Sequence, residues 1–453
     1  MHLVVVGGSD AGVAAALRAR QVDATADIDV VVGDAFPNFS ICGLPYLLSG
    51  EVKDWRDLAH RSRANLEGAG LRLILETPVR AIDPVARTLA TVDRRGHEAG
   101  MRWDALVIAT GAGAVRPPIA GLDSPGVFVL HTMDDALKLS HALGPAGGSA
   151  VIVGGGYIGL EMAEALTTRG WGVTLVERLS QVMPTVDTDL AALVGDELTD
   201  HGVEVVLGTS VREIAPSPGG RLCVEGNGDF ERRADVVLVV VGVRPNAALG
   251  VAAGATTGRR GALAVDRKMA TSLPGVWAAG DCAETYHALL RRPGYLPLGT
   301  TAHKQGRTAG ENAAGGSRRF AGSVGTQVVK VFDLAVARTG LRDVDAAEAG
   351  FDPLTSACVA YDHVPYYPGA HRIHQRLTGD RTTGLLLGLQ MVGHRQGEVA
   401  KRIDTAATAL HHGDTVDGLL DLDLSYAPPF GSPWDAVQSA AQAWEHARSW
   451  AGG

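Results

Sequence analysis

A glycine-rich motif in the middle of the chain restricts the possible folds more than any other feature of the sequence. The apolar segment 150–153 is followed by Gly154-Gly155-Gly156-Tyr157-Ile158-Gly159, and a helix is predicted over 160–169. A second strand, predicted over 173–176, is followed directly by Glu177. This order of strand, glycine turn, helix, strand and acidic residue is typical of a dinucleotide-binding unit, because the turn lets the backbone approach a pyrophosphate. A carboxylate at 177 favours NADH by repelling a 2′-phosphate, whereas the adjacent Arg178 works against that preference and keeps NADPH open.

The N-terminus repeats this arrangement in a less regular form. An apolar strand leads into Gly7-Gly8-Ser9-Asp10-Ala11-Gly12, and a helix is predicted to run to about Arg20. The next strand, 28–32, is followed by Asp34. Ser9 replaces the middle glycine, but the surrounding order of elements still predicts a second dinucleotide site, where the helix N-terminus offers free N–H groups to a phosphate. The two units together predict an α/β protein with two Rossmann-like domains.

The composition agrees with a folded chain of several domains. The 453 residues are 46% hydrophobic and 20% charged, which excludes a disordered or fibrous protein. The net charge is −9 and there is no basic block, so we expect neither nucleic acid nor a membrane surface as partner. The N-terminus has the pattern of a strand and not of a signal peptide, and the apolar run 236–243 is far shorter than the about 20 residues that span a bilayer. We therefore expect a cytoplasmic protein.

The cysteines predict redox chemistry at a single position. The four cysteines, at 42, 223, 282 and 358, form neither a CxxC motif nor a disulfide framework. Cys42 precedes a predicted helix, whose N-terminus is expected to lower the pKa of the thiol. The other three are interpreted as small apolar residues. The histidines lack metal-ligand spacing, so no metal site is predicted.

Four further segments carry a family resemblance. Residues 103–112 look like the strand and turn that close over flavin adenine dinucleotide (FAD), and 276–281 look like the motif whose aspartate binds its ribityl chain. Residues 298–307 look like a helix start aimed at the flavin ring, and 38–46 place one cysteine before a helix. Together these resemble the pyridine nucleotide–disulfide oxidoreductases. The match is closest to the single-cysteine branch of coenzyme A-disulfide reductases, coenzyme A persulfide or polysulfide reductases, and NADH oxidases and peroxidases.

The resemblance implies a fold and a set of cofactor contacts. It implies an FAD-binding domain (1–118 and 245–320), an NAD(P)H-binding domain (119–244) and a C-terminal α+β dimerisation domain (321–453), which the segments 328–334, 366–370, 401–404 and 424–430 also resemble. The implied FAD-binding residues are Gly7, Gly8, Ala11, Gly12, Asp34, Thr110, Gly111, Asp281, Thr300 and Ala302. The implied NAD(P)H-binding residues are Gly154, Gly156, Tyr157, Ile158, Gly159, Glu177 and Gly242.

The implied activity is reduction of a low-molecular-weight disulfide or persulfide through Cys42, with coenzyme A compounds as one candidate substrate class. Position 47 is a leucine, so Cys42 lacks the resolving cysteine of dithiol relatives and cycles as thiolate, mixed disulfide, persulfide or sulfenic acid. By resemblance, two tyrosines of the other subunit protonate the departing thiolate, which implies a homodimer. The matching positions are Tyr367, with Tyr366 as its rival, and Tyr426.

Two other functions remain open, and some residues depart from the family pattern. An NADH oxidase or peroxidase would use a Cys42 sulfenic acid, but those enzymes carry histidine where this chain has Asp10, and a carboxylate disfavours a nearby thiolate. An electron-transfer reductase would leave Cys42 inert. Asn38 and Ile41 replace a serine and an asparagine expected near the thiol substrate, and His131 replaces an arginine. Arg18 and Arg20 match a basic run that meets coenzyme A phosphates, or are solvated helix surface.

Overall fold

The N-terminal glycine motif connects a strand to a helix in the computed structural model, which describes residues 1–145 and 147–451. Short 3₁₀ segments at Ile41–Gly43 and Trp55–Leu58 flank the second helix of this region. The helices and strands up to residue 114 are β1 (His2–Val6), α1 (Asp10–Val22), β2 (Asp27–Val31), α2 (Leu44–Ser49), α3 (Arg63–Gly68), β3 (Arg72–Ile74), β4 (Val79–Asp83), β5 (Thr88–Val92), β6 (Glu98–Arg102), β7 (Ala105–Ile108) and β8 (Ala112–Ala114).

The second glycine motif has the same local structure, between β10 and α5. The elements of this region are β9 (Val127–Val129), α4 (Met133–Leu143), β10 (Ser149–Val153), α5 (Tyr157–Thr168), β11 (Gly172–Val176), α6 (Thr188–Asp200), β12 (Glu204–Val206), β13 (Val211–Pro216), β14 (Leu222–Gly226), β15 (Glu231–Ala234), β16 (Val236–Val239) and β17 (Val243–Pro245). Five of these strands form a parallel sheet in the order β12-β11-β10-β16-β9.

The chain after residue 245 returns to the first sheet. Its elements are α7 (Ala248–Ala252), β18 (Val276–Ala278), β19 (Thr285–His287), β20 (Arg292–Gly294) and α8 (Gly299–Ala313). Strand β18 pairs with β7 and completes a parallel sheet in the order β18-β7-β1-β2-β3. Because the strands of each sheet run parallel, their carboxyl ends, where the glycine turns lie, share one edge.

The C-terminal region is a five-stranded antiparallel sheet with helices packed on it. Its elements are β21 (Gln327–Val331), β22 (Leu334–Gly340), α9 (Asp343–Glu348), β23 (Pro353–Tyr361), β24 (Arg372–Asp380), β25 (Leu386–His394), α10 (Val399–His412), α11 (Val416–Leu420) and α12 (Ala436–Ala451). The strand order is β21-β22-β25-β24-β23. The predicted fold class, two Rossmann-like units plus a C-terminal α+β domain, is confirmed.

Two strand boundaries in the C-terminal sheet have local causes. Strand β21 ends at Val331, because Phe332 has a φ of +50° and begins the turn into β22. Strand β25 begins only at Leu386. The Asp380 carboxylate accepts hydrogen bonds from the backbone N–H groups of Thr382 and Thr383, which holds those residues in a turn.

Glycines bring helices α1 and α8 unusually close together. A Cβ placed on Gly306 would lie 2.1 Å from the backbone oxygen of Ala11, so only glycine permits this approach. The first turn of α8 is thereby held beside the first glycine turn. Among the described residues, no helix is long and apolar enough to span a bilayer.

Candidate active site

The two glycine turns open into one continuous cleft. Its volume is about 2580 Å³, well above the 300–1,000 Å³ typical of a site for one small molecule. All but two of the residues predicted to bind cofactors line it: Gly7, Gly8, Ala11, Asp34, Thr110, Gly111, Gly154, Gly156, Tyr157, Ile158, Glu177, Gly242, Asp281, Thr300 and Ala302. Cys42 lies on its wall as well.

The two predicted residues that do not line the cleft have a packing role. A Cβ on Gly12 would lie 1.9 Å from the carbonyl oxygen of Gly7, and a Cβ on Gly159 would lie 1.9 Å from that of Gly154. In both units this last glycine of the motif therefore lets the helix pack against its own turn. The sequence motif alone does not show which glycines face a phosphate and which allow the helix to pack closely.

The first half of the cleft fits FAD, the cofactor that the family resemblance implies. Gly7 has a φ of +118°, and its Cβ would lie 2.0 Å from the oxygen of Ala109, so this turn is open to a phosphate group only because it is glycine. His131 presents a buried Nδ1 that has no hydrogen-bond partner in the protein, and burial lowers the pKa of this imidazole. Burial, together with the charge of Asp10, raises the pKa of Asp281 to about 6.

The second half of the cleft ends at Glu177. Its carboxylate accepts hydrogen bonds from the N–H groups of Gly155, at 2.7 Å, and Leu179, at 2.8 Å. The side chain is thus fixed behind the glycine turn, with Arg178 also lining the cleft. A fixed carboxylate at this place is suited to ribose hydroxyls and opposes a 2′-phosphate.

The surroundings of Cys42 do not lower the pKa of its thiol. Although Cys42 is exposed to the cleft, burial by neighbouring protein atoms and the carboxylates of Glu161, Asp10 and Asp281 raise the pKa. The prediction that the helix N-terminus lowers the pKa of the Cys42 thiol is therefore wrong. Helix α2 has only six residues, and its terminal partial charge is outweighed by three carboxylates.

Glu161 is a functional candidate that the sequence analysis missed. It lines the cleft, and burial together with the charge of Glu164 raises its pKa to about 7. Glu161 lies four residues after Tyr157 in α5 and therefore on the same helix face. This spacing is the sequence signal that could have identified it. His60 and His303 also line the cleft and were missed, because no spacing in sequence connects them to Cys42.

The three candidate tyrosines lie away from the cleft of their own chain. Tyr366, Tyr367 and Tyr426 are exposed on the C-terminal region, and none is among the described residues that line the cleft. The neighbouring Tyr366 phenol raises the pKa of Tyr426, whereas the Tyr367 ring packs edge-on against His363. The proximity of Tyr366 to Tyr426 therefore favours Tyr366 over Tyr367 as the phenol that pairs with Tyr426.

The two arginines considered for coenzyme A phosphates are engaged within the protein. Arg18 donates to Glu311 at 2.8 Å, and Arg20 donates to the carbonyl oxygens of Ala24 and Gly70, each at 2.7 Å. These contacts support the alternative interpretation, in which Arg18 and Arg20 belong to the helix surface and hydrogen-bond neighbouring protein groups.

One cluster of possible metal ligands occurs among the described residues, outside the cleft. Glu197, His201 and Asp333 bring ligand atoms within 4.8 Å of one another. His201 stacks on the Phe332 ring, and the N–H of Asp333 donates to Glu197. These contacts join α6 to the turn before β22, and we assign no metal to them.

Comparison with known proteins places this architecture in a family. Residues 1–306 match the pyridine nucleotide-disulphide oxidoreductase family, and residues 326–437 match the dimerisation domain of the same family. The chain belongs to this family. It is therefore an oxidoreductase that uses FAD and NAD(P)H.

Three similar proteins show the range of chemistry among relatives. The NAD(P)H sulfur oxidoreductase (CoA-dependent) of Pyrococcus furiosus is 34% identical over 96% of this chain and 97% of its own length. An NADH oxidase of Methanocaldococcus jannaschii is 32% identical over 98% of each chain. The structure of an NAD-dependent persulfide reductase from A. fulgidus superposes with a TM-score of 0.95, at 37% identity over 99% of this chain and 84% of the other.

Proposed function

We propose that this enzyme reduces a low-molecular-weight disulfide or persulfide with NAD(P)H, through Cys42 as its redox-active thiol. The observation that carries the proposal is the position of Cys42 in one cleft with both dinucleotide sites. The sulfur oxidoreductase and the persulfide reductase among its relatives support sulfur chemistry. A coenzyme A disulfide or persulfide is the first substrate class to test.

The proposed binding assignments follow the two halves of the cleft. The turn at Gly7 and Gly8, with Asp34, Asp281 and the start of α8, would hold FAD, which supplies two-electron chemistry between nicotinamide and sulfur when bound. The turn at Gly154 and Gly156 would hold the nicotinamide dinucleotide. Glu177 supports NADH as the preferred donor, since its carboxylate is fixed where a 2′-phosphate would have to lie.

The chain's own residues account for the sulfur steps. The Cys42 thiolate attacks a disulfide of the substrate, so that a mixed disulfide forms at Cys42 and one thiolate leaves. We propose a homodimer in which Tyr426 and its neighbour Tyr366 face the partner's Cys42 and donate a proton as neutral phenols. The match of residues 326–437 to a dimerisation domain supports this arrangement.

The test replaces the sulfur and separates flavin chemistry from thiol chemistry. In Cys42→Ser we expect NADH-dependent reduction of coenzyme A disulfide to fall at least about 100-fold, because no thiolate attacks the substrate. NADH-dependent reduction of ferricyanide, which needs no thiol, should persist. Cys358→Ser, at a half-buried cysteine in β23, is the matched control and should leave both rates unchanged. Full disulfide turnover in Cys42→Ser would overturn the proposal.

An NADH oxidase is the second candidate, supported by the Methanocaldococcus jannaschii relative. Oxygen consumption stoichiometric with NADH, and faster than turnover with any disulfide or persulfide, would place it first. Asp10 weighs against it, because it stands where the resemblance implies a histidine in the oxidases and peroxidases. The raised pKa of Cys42 does not separate the two candidates, since both cycles need the ionised sulfur.

A further inference from the structure

A histidine and an aspartate from different helices meet on the wall of the cleft. His303, in the first turns of α8, places its Nε2 3.4 Å from Oδ1 of Asp10, the first residue of α1. That oxygen is buried and has no hydrogen-bond partner in the protein. Both residues line the cleft with Cys42. The close packing of Gly306 on Ala11 fixes the two helices relative to one another, so the two side chains are held together by the fold.

Other titratable groups line the same cleft as this pair. The His60 ring lies edge-on to the His303 ring, with ring centroids 6.3 Å apart. Lys304 lies next in α8, Asp281 follows β18, and Glu161 lines the wall formed by α5. Asp10 is the carboxylate in contact with the His303 imidazole, so it is the group that orients this ring.

The inference rests on the proposed disulfide reduction and assigns a proton source to it. We propose that His303 is a general acid for a thiolate released in the cleft, and that Asp10 is the residue that positions it. Two thiols leave in each turnover, so the site needs two proton deliveries. The tyrosine pair of the partner subunit accounts for one of them, and His303 accounts for the other from within the same chain.

The step balances without any further reactant. The Cys42 sulfur forms a bond to one sulfur of the substrate as the bond between the two substrate sulfurs breaks. The electron pair of the broken bond goes to the departing sulfur, and the proton on the His303 imidazolium transfers to it. The products are a mixed disulfide at Cys42, a free thiol and a neutral imidazole, which takes its next proton from water.

The pair also explains how an aspartate is tolerated beside the reactive sulfur. The charge of Asp10 contributes to raising the pKa of Cys42, which reduces the fraction of attacking thiolate. When the imidazole 3.4 Å away carries its proton, it offsets much of that charge. Asp10 is then less unfavourable for the thiolate than it would be without His303.

The test compares two disulfides that differ in how much the leaving thiolate needs a proton. Coenzyme A disulfide releases an alkyl thiolate, whereas 5,5′-dithiobis(2-nitrobenzoate) releases an acidic aromatic thiolate that leaves unaided. In His303→Asn we expect kcat/KM to fall about 100-fold with coenzyme A disulfide at pH 6.5, and less than threefold with the aromatic disulfide. His141→Asn, which removes an exposed imidazole of α4 that does not line the cleft, is the matched control and should lower neither rate more than threefold.

Equal losses with both substrates in His303→Asn would overturn the inference, because a structural role does not depend on the leaving group. If the wild-type enzyme reduces neither disulfide nor a persulfide, the proposed function itself has failed, which is a separate result.

A second variant tests the role of Asp10. In Asp10→Asn we expect a selective loss with coenzyme A disulfide of the same sign as in His303→Asn but smaller, about tenfold, because the imidazole is no longer held in place. This selective loss should be absent when His303→Asn is already present, and its persistence there would contradict the pairing.

Discussion

Glu161 controls the charge around Cys42 in the range of pH where the enzyme would work. Burial and the charge of Glu164 raise the Glu161 pKa to about 7, whereas Glu164 itself is ion-paired with Lys330. Below pH 6 Glu161 is neutral and has little effect on the thiol. Above pH 8 it is ionised and opposes the Cys42 thiolate.

We therefore predict a pH-dependent effect of Glu161→Gln on alkylation of Cys42. At pH 8.5 the variant should react with iodoacetamide about three- to tenfold faster than wild type, because loss of a nearby negative charge lowers the pKa of the thiol. At pH 5.5 the two proteins should react at similar rates. Mass spectrometry of the Cys42 peptide over time, with the holoenzyme in its oxidised state, gives both rates. A ratio that does not change with pH would contradict the role assigned to Glu161.

At the scale of elements, the approach of α8 to α1 depends on single glycines. Both Thr300 and His303 owe their positions in the cleft to this contact, because they lie in the first turns of α8. Two glycines inside helices form a matched pair for substitution. Gly306 in α8 is packed against backbone, whereas Gly195 in α6 has nothing within 4 Å of a new Cβ.

Gly306→Ala should destabilise the protein by about 2–4 kcal/mol, since the added methyl group forces the helices apart. Gly195→Ala should instead stabilise it by about 0.5–1 kcal/mol, because alanine has the higher helix propensity and the site is open. Thermal unfolding of the holoenzymes measures both. Equal stability of Gly306→Ala and wild type would show that α1 and α8 are less tightly coupled than the structure indicates, and would weaken the case for a fixed Asp10–His303 pair.

The sequence predicted elements that depend on local pattern, and missed contacts that depend on packing. The two glycine turns and the strands beside them follow from short-range periodicity, and the cleft residues near them could be named in advance. Glu161, His60 and His303 line the cleft from three separate parts of the chain, so no spacing relates them to Cys42. The rise of the Cys42 pKa could not be predicted for the same reason, because it comes from the sum of carboxylates that tertiary structure brings together.

At the scale of the whole molecule, aromatic side chains gather on one exposed face of the C-terminal region. Tyr366, Tyr426, Phe430 and Trp434 are all exposed, with Phe430 at 79% and Trp434 at 52%. The hydrogen bond from the Val364 N–H to the Gly431 oxygen holds the two segments side by side. Exposed aromatics in one patch are typical of an interface between proteins.

We predict that Phe430→Glu combined with Trp434→Glu converts a dimer into a monomer of 47.1 kDa, because two buried charges oppose association. Light scattering after gel filtration measures the mass. The monomer should lose coenzyme A-disulfide reduction while still reducing ferricyanide with NADH. Trp450→Glu, at a tryptophan in α12 that is even more exposed than Trp434, is the control and should leave the mass unchanged. A monomer with full disulfide turnover would exclude tyrosines that act across the interface.

The helix that follows Cys42 has a consequence for how this enzyme can be divided or recombined. Helix α2 belongs by sequence to the first unit, yet Leu44 and Leu48 are buried in the same apolar core as Leu160 and Leu166 of α5. A fragment cut at the boundaries of the second unit would leave that apolar surface uncovered in water. A nicotinamide-binding module grafted from a relative into this chain must therefore bring a surface that accommodates α2, and any mismatch there would displace the reactive sulfur. The constraint on exchanging cofactor preference by module transfer thus lies on the face of α5 that carries Leu160 and Leu166, which do not line the cleft.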